Sequence, residues 1–328
     1  MGDSTTAMAL ILTPQAEDFI NEWTNPLPYV IAHTSGSTGT PKEIRLLKSD
    51  MRASARATID FFGLSSKSTL YLPLSPGYIA GKMQIVRALE ASCDLIVENP
   101  SSRPALQPLT DGTEIDLLPI VPAQCEAILS SPYRRQIKNI IIGGAPLQPN
   151  AETDIIGAGL TAYATYGMTE TCSHVALRRL GEEQFSALPG FSFSLDDRGC
   201  LTIGSRTLSF GTLVTNDMVS LTSDHSFRWL GRYDNVINSG GIKIFPEEIE
   251  KLIAPLFPPE SLFYVTSRPS EKWGEEAVII SDSSSFPSDI LDRIKLLAGH
   301  RNAPKAIIFE PEIKLTQSNK IIRHKFFS

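Results

Sequence analysis

The feature that most constrains the fold of this chain is a regular alternation of strand-like and helix-like segments between residues 14 and 185. The strand-like segments are short and apolar, whereas the segments between them repeat apolar residues at helical spacing. This alternation predicts an α/β fold with a mostly parallel, doubly wound sheet, which binds ligands beyond the carboxyl ends of its strands. The predicted strands are PYVIAHT, EIRLLK, TLYLPL, CDLIVE, IDLLPIV, KNIIIGG and TAYATYG.

Two helices are predicted within this series. The segment SDMRASARATIDFF has apolar residues along one side, and Ser49 or Asp50 is suited to cap its amino-terminal end. The segment GKMQIVRALEA follows a predicted strand and carries two basic residues, Lys82 and Arg87.

The pattern changes at about residue 190. Short strands between Gly, Asp and Ser turns predict a small β-rich subdomain over about 190–231. A compact α+β unit follows, with the helices FPEEIEKLIAPLF and SDILDRIKLLAGH and the strands SLFYVTS, EAVIIS and KAIIFE. The segment GRYDN is a reasonable boundary, so we expect a large domain over residues 1–232 and a small C-terminal domain over 233–328.

Charge and composition exclude several classes of partner and location. The formal net charge of −6 gives no electrostatic reason to expect binding to nucleic acid or to an anionic membrane. No apolar run approaches the ~20 residues of a membrane-spanning helix, and the start of the chain lacks a basic leader pattern. Four widely spaced cysteines without a CxxC pair favour reduced thiols over disulfides or zinc. We therefore expect a cytoplasmic protein.

The segment HTSGSTGTPK, residues 33–42, follows a predicted strand and predicts a phosphate-binding loop. Small hydroxylated residues and glycines let backbone N–H groups and hydroxyls surround a polyanion, and the final lysine adds a positive charge. The Walker A pattern is excluded because Pro41 separates Gly39 from Lys42. Taken alone, the segment also fits a solvent-exposed turn. The predicted phosphate-binding residues are Thr34, Ser35, Gly36, Ser37, Thr38, Gly39 and Lys42.

Four further segments follow in order along the chain. They are IIIGGAPL, YATYGMTET, TNDMV with GRYDNVINSGGIKIFPEEIE, and LTQSNKIIR. Together with the phosphate-binding loop they resemble the five motifs of the adenylate-forming, or AMP-binding, superfamily of acyl-CoA synthetases, and they span residues 33–323. One departure is Asn319, since the family usually has Gly before the C-terminal motif lysine, here Lys320.

The resemblance implies an ATP-dependent ligase that uses Mg²⁺ and takes CoA as co-substrate. A carboxylate is a poor electrophile, and attack on the α-phosphate of ATP converts it to acyl-AMP with release of pyrophosphate. Two like charges at ~4 Å repel by about 4 kcal/mol at an effective dielectric near 20, so such a site needs positive charge and oriented dipoles. By resemblance Lys320 supplies that charge during adenylation, with Lys325 as a less suitable alternative.

The other motifs imply further roles. By resemblance Thr169 contacts the α-phosphate and Glu170 holds Mg²⁺, Tyr166 stacks on the adenine, and Asp217 and Arg232 bind the ribose. The small C-terminal domain would swing about Asp234 between the two half-reactions. The remaining residues of these motifs are Gly143, Gly144 and Ala145 beside the adenine, Gly167 and Met168 after Tyr166, and Gly240, Gly241 and Lys243 at a CoA channel.

Within the superfamily, the segments IRLLKSDMRASARATIDFFGL, YIAGKMQIVRALEASCDLIVENPSS and GMTETCSHVALRRL resemble a short o-succinylbenzoate–CoA ligase of menaquinone biosynthesis. Such an acid carries a ring, a ketone, the carboxylate to be activated and a second, spectator carboxylate. Arg87 or Lys82 could bind the spectator, although either could be a solvated helix charge. Ser173 is a further candidate for substrate contact, and Tyr78 stands where the family usually has a His.

Only 33 residues precede Thr34, whereas typical family members carry a long upstream subdomain. We therefore expect this subdomain to be missing or strongly reduced, and association into a homo-oligomer could cover the face it leaves. Two alternatives to the leading function remain: an acyl- or aryl-CoA synthetase for another acid, and a nucleotide-binding relic without catalysis. The presence of both Glu170 and Lys320 favours an enzyme.

Overall fold

The computed structural model describes residues 8–34, 42–106, 112–258, 261–316 and 321–325, with only the backbone at positions 33, 34 and 42. The helices are Pro14–Thr24 (α1), Lys48–Phe62 (α2), Ile79–Ala91 (α3), Cys125–Ser130 (α4), Pro149–Gly157 (α5), Pro246–Ile253 (α6) and Ile290–Ala298 (α7). The strands are Leu10–Ile11 (β1), Tyr29–Thr34 (β2), Lys42–Leu47 (β3), Thr69–Leu72 (β4), Asp94–Val97 (β5), Leu118–Ile120 (β6), Ile140–Ile142 (β7), Ala162–Gly167 (β8), His174–Arg179 (β9), Phe185–Ala187 (β10), Phe191–Leu195 (β11), Cys200–Ser205 (β12), Thr212–Ser223 (β13), Ser226–Arg232 (β14), Ile237–Ser239 (β15), Ile242–Ile244 (β16), Phe263–Ser270 (β17), Gly274–Ser281 (β18) and Ile307–Phe309 (β19). No helix in these described ranges is both long enough and apolar enough to cross a membrane.

The large part of the molecule is built on two sheets that nearly join. Strands β1, β5 and β4 are parallel and form the first sheet in that order. The second sheet has the order β11–β12–β13–β14–β10–β9–β8–β7–β6, parallel from β6 to β8 and antiparallel beyond β8. The α/β class predicted from the sequence is confirmed. The segments PYVIAHT and EIRLLK, predicted within the parallel series, instead form the separate antiparallel hairpin β2–β3, because a short segment joins them directly. The strands of the segment 190–231 are not paired among themselves alone, because β10 joins them to the rest of the sheet.

A narrow seam lies between the two sheets. A single parallel bridge between Leu70 and Leu117 connects them, and the Tyr71 N–H donates to the Leu117 carbonyl at 3.3 Å. The buried amide of Gln84 crosses the same seam, since its Nε2 donates to the Tyr71 carbonyl at 3.3 Å and to the Leu117 carbonyl at 3.0 Å. A side chain of α3 therefore completes the hydrogen bonding between the sheets.

Helices cover both faces of the parallel strands, as a doubly wound sheet requires. Helices α2 and α3 pack on one face, where Met51 and Met83 are fully buried. Helices α4 and α5 cover the other face through Ile128 and Ile155. The charged residue Arg87 is also buried on the face covered by α2 and α3.

Helix α2 differs from the prediction at its amino-terminal end. It begins at Lys48, one residue before the predicted capping position, and no side chain caps it. The Asp50 carboxylate is buried and instead accepts hydrogen bonds from the Ser209 N–H, at 3.0 Å, and from the Ser209 hydroxyl. The prediction of Ser49 or Asp50 as N-cap is therefore wrong, because a long-range contact takes the carboxylate that the cap would need.

The C-terminal lobe consists of β15–β19, α6 and α7. Its sheet has the order β16–β15–β18–β17, with β19 parallel to β18. The lobe contacts the larger part through the side chains of Met218, Leu230, Val236 and Phe245, and through an ion pair between Arg228 and Glu248. The domain boundary at residues 232 and 233 stays a prediction.

Candidate active site

The predicted nucleotide-binding motifs meet at one edge of the large sheet. Strands β7 and β8 are parallel with Ile142 beside Ala164, so the turn 143–145 and the end of β8 lie side by side. At Gly167 a Cβ atom would lie 2.4 Å from the Ser173 carbonyl oxygen. Only glycine permits this close approach, which brings the start of β9 next to the end of β8.

The Asp217 carboxylate is the best-organised acidic group at this edge. It is 6% exposed and accepts hydrogen bonds from the Tyr166 hydroxyl at 2.7 Å and the Trp229 indole N–H at 3.2 Å. The Arg232 guanidinium lies 3.6 Å from the same carboxylate, across the β13–β14 pair. A carboxylate has several lone pairs, so it can also accept hydrogen bonds from sugar hydroxyls.

Tyr166 is held from two sides. Its ring meets the edges of Phe185 and Phe227 at centroid distances of 5.9 and 5.0 Å. Burial, followed by the charge of Asp217, raises the pKa of Tyr166 above its usual range, so the phenol stays protonated and donates. The structure thus brings Tyr166 to Asp217; stacking of this ring on adenine stays a prediction.

The segment after β8 lies next to the β2–β3 hairpin. The 3₁₀ helix Thr169–Thr171 has Cα atoms within 8 Å of both hairpin strands. The hairpin pairs Thr34 with Lys42, and the predicted phosphate-binding residues 35–39 lie outside the described residues. Glu170 is exposed in this 3₁₀ helix. The 3₁₀ helix that carries Glu170 and the hairpin that carries both ends of the predicted phosphate-binding loop are therefore neighbours.

ATP and Mg²⁺ fit the residues found here. The buried Asp217 carboxylate with its two side-chain donors, Tyr166 and Trp229, suits a ribose. Within the described ranges no group of three His, Cys, Asp or Glu side chains could hold a metal by itself. A single carboxylate such as Glu170 suits Mg²⁺, which is usually held by one or two carboxylates together with substrate phosphates.

Arg87 is a charged residue that is almost completely buried. It is 1% exposed, and its Nη1 and Nη2 donate to Gln84 Oε1 at 3.2 Å and to Ser173 Oγ at 2.6 Å. Its Nε has no partner, and no carboxylate among the described residues pairs with it. Burial lowers the pKa of Arg87 to about 9. Buried charges in proteins are usually paired, so an anion is the partner that this guanidinium lacks within the described part of the chain.

The other predicted substrate residues are placed differently. Lys82 is buried, but it pairs with Glu22 at 2.9 Å and lies 4.3 Å from the centre of the Phe19 ring, so it fastens α3 to α1. Tyr78 precedes α3 and is 66% exposed. Ser173 lies against Arg87. The structure therefore brings Arg87 and Ser173 together and leaves Lys82 and Tyr78 apart from them.

The predicted hinge and channel residues lie at the start of the C-terminal lobe. Asp234 is exposed and lies 3.8 Å from the Arg232 guanidinium. Gly240 and Gly241 form the turn between β15 and β16, and both have positive φ. A Cβ at Gly240 would lie 2.5 Å from the Trp273 ring. Lys243 is exposed on β16, and the predicted catalytic Lys320 lies outside the described residues.

Comparison with known proteins gives the family. The model of the AMP-binding enzyme family matches residues 11–195, more than half of the chain. The chain belongs to the AMP-binding enzyme family. It is 34% identical to a solved protein from Dyadobacter fermentans described as an acyl-CoA synthetase (AMP-forming)/AMP-acid ligase II-like protein, with 94% of this chain and 91% of that one covered and a TM-score of 0.64. This AMP-binding enzyme is accordingly an acyl-CoA ligase of the adenylate-forming kind.

The chain is also similar, at lower sequence identity, to two proteins that are named for the same activity, the ligation of o-succinylbenzoate to CoA. The chain is 25% identical to the 2-succinylbenzoate–CoA ligase of Enterococcus faecalis, over 91% of this chain and 69% of that protein. It is 18% identical to the o-succinylbenzoate coenzyme A synthetase (MenE) of Bacillus subtilis in complex with ATP and magnesium, with 89% of this chain and 68% of that one covered and a TM-score of 0.76. At this identity the second similarity shows the fold alone.

Three residues with polar contacts at the site were not predicted from the sequence. They are Gln84, which contacts Arg87, His174, which contacts Ser173, and Trp229, which contacts Asp217. Gln84 stands three residues before Arg87 on one helix, a spacing that places both on the same face. His174 and Trp229 carry no such signal, because long-range strand pairing sets their positions.

Proposed function

We propose that this AMP-binding enzyme converts o-succinylbenzoate, ATP and CoA to o-succinylbenzoyl-CoA, AMP and pyrophosphate, a step of menaquinone biosynthesis. The observation that carries the proposal is the buried Arg87 guanidinium, which has neutral partners only among the described residues. An acid with two carboxylates supplies the missing anion, whereas an acid with one carboxylate does not. The similarity to the Enterococcus faecalis ligase supports the same acid.

In this proposal two ends of the acid have separate partners. The aromatic carboxylate lies against Arg87, which holds it by charge-assisted hydrogen bonds, with Ser173 orienting the guanidinium. The aliphatic carboxylate then points toward the edge of the sheet where Asp217 and Tyr166 bind the ribose. The carboxylate oxygen attacks the α-phosphorus, the bond to pyrophosphate breaks, and acyl-AMP forms.

The attacking carboxylate and the phosphates of ATP repel each other, and residues at the sheet edge and on the C-terminal lobe are proposed to offset this repulsion. Lys320 is the proposed source of positive charge between the acid and the α-phosphate, and Thr169 a proposed hydrogen-bond donor. Mg²⁺, which Glu170 would hold, supplies neutralisation of phosphate charge. In the second half-reaction the CoA thiol attacks the acyl carbon and AMP leaves. The turn with Gly240 and Gly241, next to Lys243, is proposed to admit the CoA arm.

The proposal is tested by pyrophosphate release with three matched acids. The first is o-succinylbenzoate, the second is 4-oxo-4-phenylbutanoate, which lacks only the aromatic carboxylate, and the third is benzoate. We expect kcat/KM for o-succinylbenzoate to exceed that for 4-oxo-4-phenylbutanoate by about 10²-fold, since a hydrogen bond to a charged group contributes about 1.5–3 kcal/mol. Addition of CoA should then convert the first product to a thioester.

Two results would contradict the proposal. Equal use of the acids with one and two carboxylates would mean that Arg87 does not read a spectator carboxylate. Absence of pyrophosphate release with all acids would favour a nucleotide-binding protein without this catalysis.

A further inference from the structure

A chain of hydrogen bonds leads from Arg87 into the space between β9 and α2. Arg87 Nη2 lies 2.6 Å from Ser173 Oγ, and Ser173 Oγ lies 3.3 Å from His174 Nδ1. On the other side of the ring, His174 Nε2 lies 3.2 Å from Thr58 Oγ1. The Thr58 hydroxyl lies 3.3 Å from the Ser54 carbonyl oxygen.

The two ends of this chain fix its direction independently. At one end the guanidinium can only donate, so Ser173 Oγ accepts there and its own hydrogen is left for His174 Nδ1. At the other end the Ser54 carbonyl can only accept, so Thr58 donates to it and Thr58 Oγ1 is left to accept from His174 Nε2. Both ends therefore favour the same neutral tautomer of His174, with hydrogen on Nε2 and none on Nδ1, because only this tautomer gives every hydroxyl hydrogen of the hydrogen-bond chain an acceptor.

The surroundings of His174 keep this ring neutral. The side chain is 6% exposed, and burial followed by the charge of Arg87 lowers the pKa of His174 well below its usual value. Arg87, on α3, is the charged group that faces the ring, while Thr58 and Ser54 on α2 are uncharged partners.

We propose that His174 is a positioning residue for the spectator carboxylate: by accepting the Ser173 hydroxyl hydrogen, it keeps the Ser173 oxygen turned toward Arg87 and Arg87 aimed at the acid. This inference rests on the proposed use of an acid with two carboxylates. Without His174 Nδ1 as acceptor, the Ser173 hydroxyl can rotate and present its hydrogen to the guanidinium or to the carboxylate. The Arg87 guanidinium then loses its hydrogen bond to Ser173 Oγ and keeps only the one to Gln84 Oε1, which leaves its orientation less fixed.

A matched pair of variants separates the two contacts of His174. The amide oxygen of His174→Asn occupies the place of Nδ1 and can accept from Ser173, but it does not reach Thr58. The amide of His174→Gln reaches toward Thr58 and removes the acceptor beside Ser173. We expect His174→Gln to raise KM for o-succinylbenzoate about tenfold, with kcat and KM for ATP within about twofold. His174→Asn should restore KM to within about threefold of the wild type.

The matched acid 4-oxo-4-phenylbutanoate is the substrate control. Its KM should be equal in the wild type and both variants, because it lacks the spectator carboxylate that would lie against Arg87. The inference is overturned if His174→Gln raises KM for this acid or for ATP as much as for o-succinylbenzoate. It is equally overturned if both variants leave KM for o-succinylbenzoate unchanged.

A spectroscopic measurement tests the hydrogen-bond chain without any substrate. Long-range ¹⁵N–¹H spectra of the imidazole should show the neutral Nε2–H tautomer in the wild type from pH 6 to 8. Ser173→Ala should leave Nδ1 without its donor and move the Nδ1 resonance. A ring with hydrogen on Nδ1, or a protonated ring, overturns the inference. If the tautomer is as expected but the wild type does not prefer the acid with two carboxylates, it is the proposed function that fails, and the role of His174 toward a spectator carboxylate fails with it.

Discussion

At the scale of single residues, the site depends on what surrounds each charge. Arg87 was one of two basic candidates on a predicted helix, and the sequence left both open as solvated charges. The structure separates them by their partners, since Lys82 has a carboxylate and Arg87 has neutral groups only among the described residues. Burial of an arginine and the identity of its partners are set by packing between α3 and β9, which no local pattern encodes.

Substitution of Arg87 tests this difference directly. We expect Arg87→Ala to raise KM for o-succinylbenzoate about 10²-fold, because the spectator carboxylate loses its counter-charge. KM for ATP and for 4-oxo-4-phenylbutanoate should change by less than about threefold. Lys82→Ala is the matched control: it should lower the thermal midpoint through loss of the contact with Glu22 and leave the ratio of the two acids unchanged. Steady-state kinetics with both acids checks this, and a parallel rise in KM for ATP would contradict the role of Arg87.

At the scale of secondary-structure elements, apolar runs identified the parallel strands β4 to β8 and the helices α2 and α3. The strand β1 and the helices α1, α4 and α5 were not predicted. The strands β9 and β10 were missed, although they join the parallel and antiparallel parts of the large sheet. Both are short, and β9 ends in Arg178 and Arg179, so the local pattern is weak. The positions of β9 and β10 are decided by pairing partners distant in sequence. This explains why the parallel strands could be predicted from local patterns and these two antiparallel strands could not.

An ion pair connects two of these elements and gives a prediction on stability. Arg178 on β9 makes a bidentate pair with Glu152 on α5 at 2.7 and 2.9 Å, and the Gly181 N–H donates to the same carboxylate at 2.9 Å. Loss of a partly buried pair of this kind typically costs about 2–3 kcal/mol. We therefore expect Glu152→Gln to lower the free energy of unfolding at pH 7 by that amount. Glu126→Gln, which removes an exposed pair at 3.5 Å from Arg103, should cost less than about 1 kcal/mol.

The pH dependence of this effect follows from the pKa of Glu152. Burial alone would raise that pKa, but the Arg178 guanidinium and the Gly181 N–H lower it below its usual value near 4.5. A carboxyl group with a lowered pKa in the folded state stabilises above the unfolded pKa and loses this effect as the pH falls through the folded pKa. The difference between wild type and Glu152→Gln should thus be constant above about pH 5 and shrink below pH 4.5. Urea unfolding at several pH values measures it, and a difference that grows in acid would contradict the assignment.

At the scale of the whole molecule, the proposed function has two half-reactions, for which we expect two arrangements of the C-terminal lobe against the larger part. The contacts at the start of the lobe include those of the exposed Asp234 carboxylate, which lies 3.8 Å from the Arg232 guanidinium and 3.5 Å from the Asn216 amide nitrogen. Exposed polar contacts of this kind contribute little free energy in water, so breaking them during a movement of the lobe costs little. This supports the proposed hinge at the start of the lobe.

Separate assays of the two half-reactions test the proposed lysine of the lobe. Lys320→Ala should slow adenylation by about 10²–10³-fold, the range for loss of one preorganised charge stabiliser. Thioester formation from acyl-AMP supplied in advance should be nearly unchanged. Lys325→Ala is the matched control, because Lys325 pairs with Glu275 at 3.0 Å and should leave both halves within about twofold. An equal loss in both halves would contradict the assignment of Lys320.

If Arg87 binds the acid as proposed, the amide of Gln84 links the architecture of the whole molecule to the choice of acid. Its Nε2 closes the seam between the two sheets, and its Oε1 orients Arg87. A substitution at position 84 therefore disturbs the scaffold and the selectivity together. Among descendants of a common ancestor, positions 84 and 87 are expected to change as a pair, and a lineage that drifts to a monocarboxylic acid would be released from keeping either.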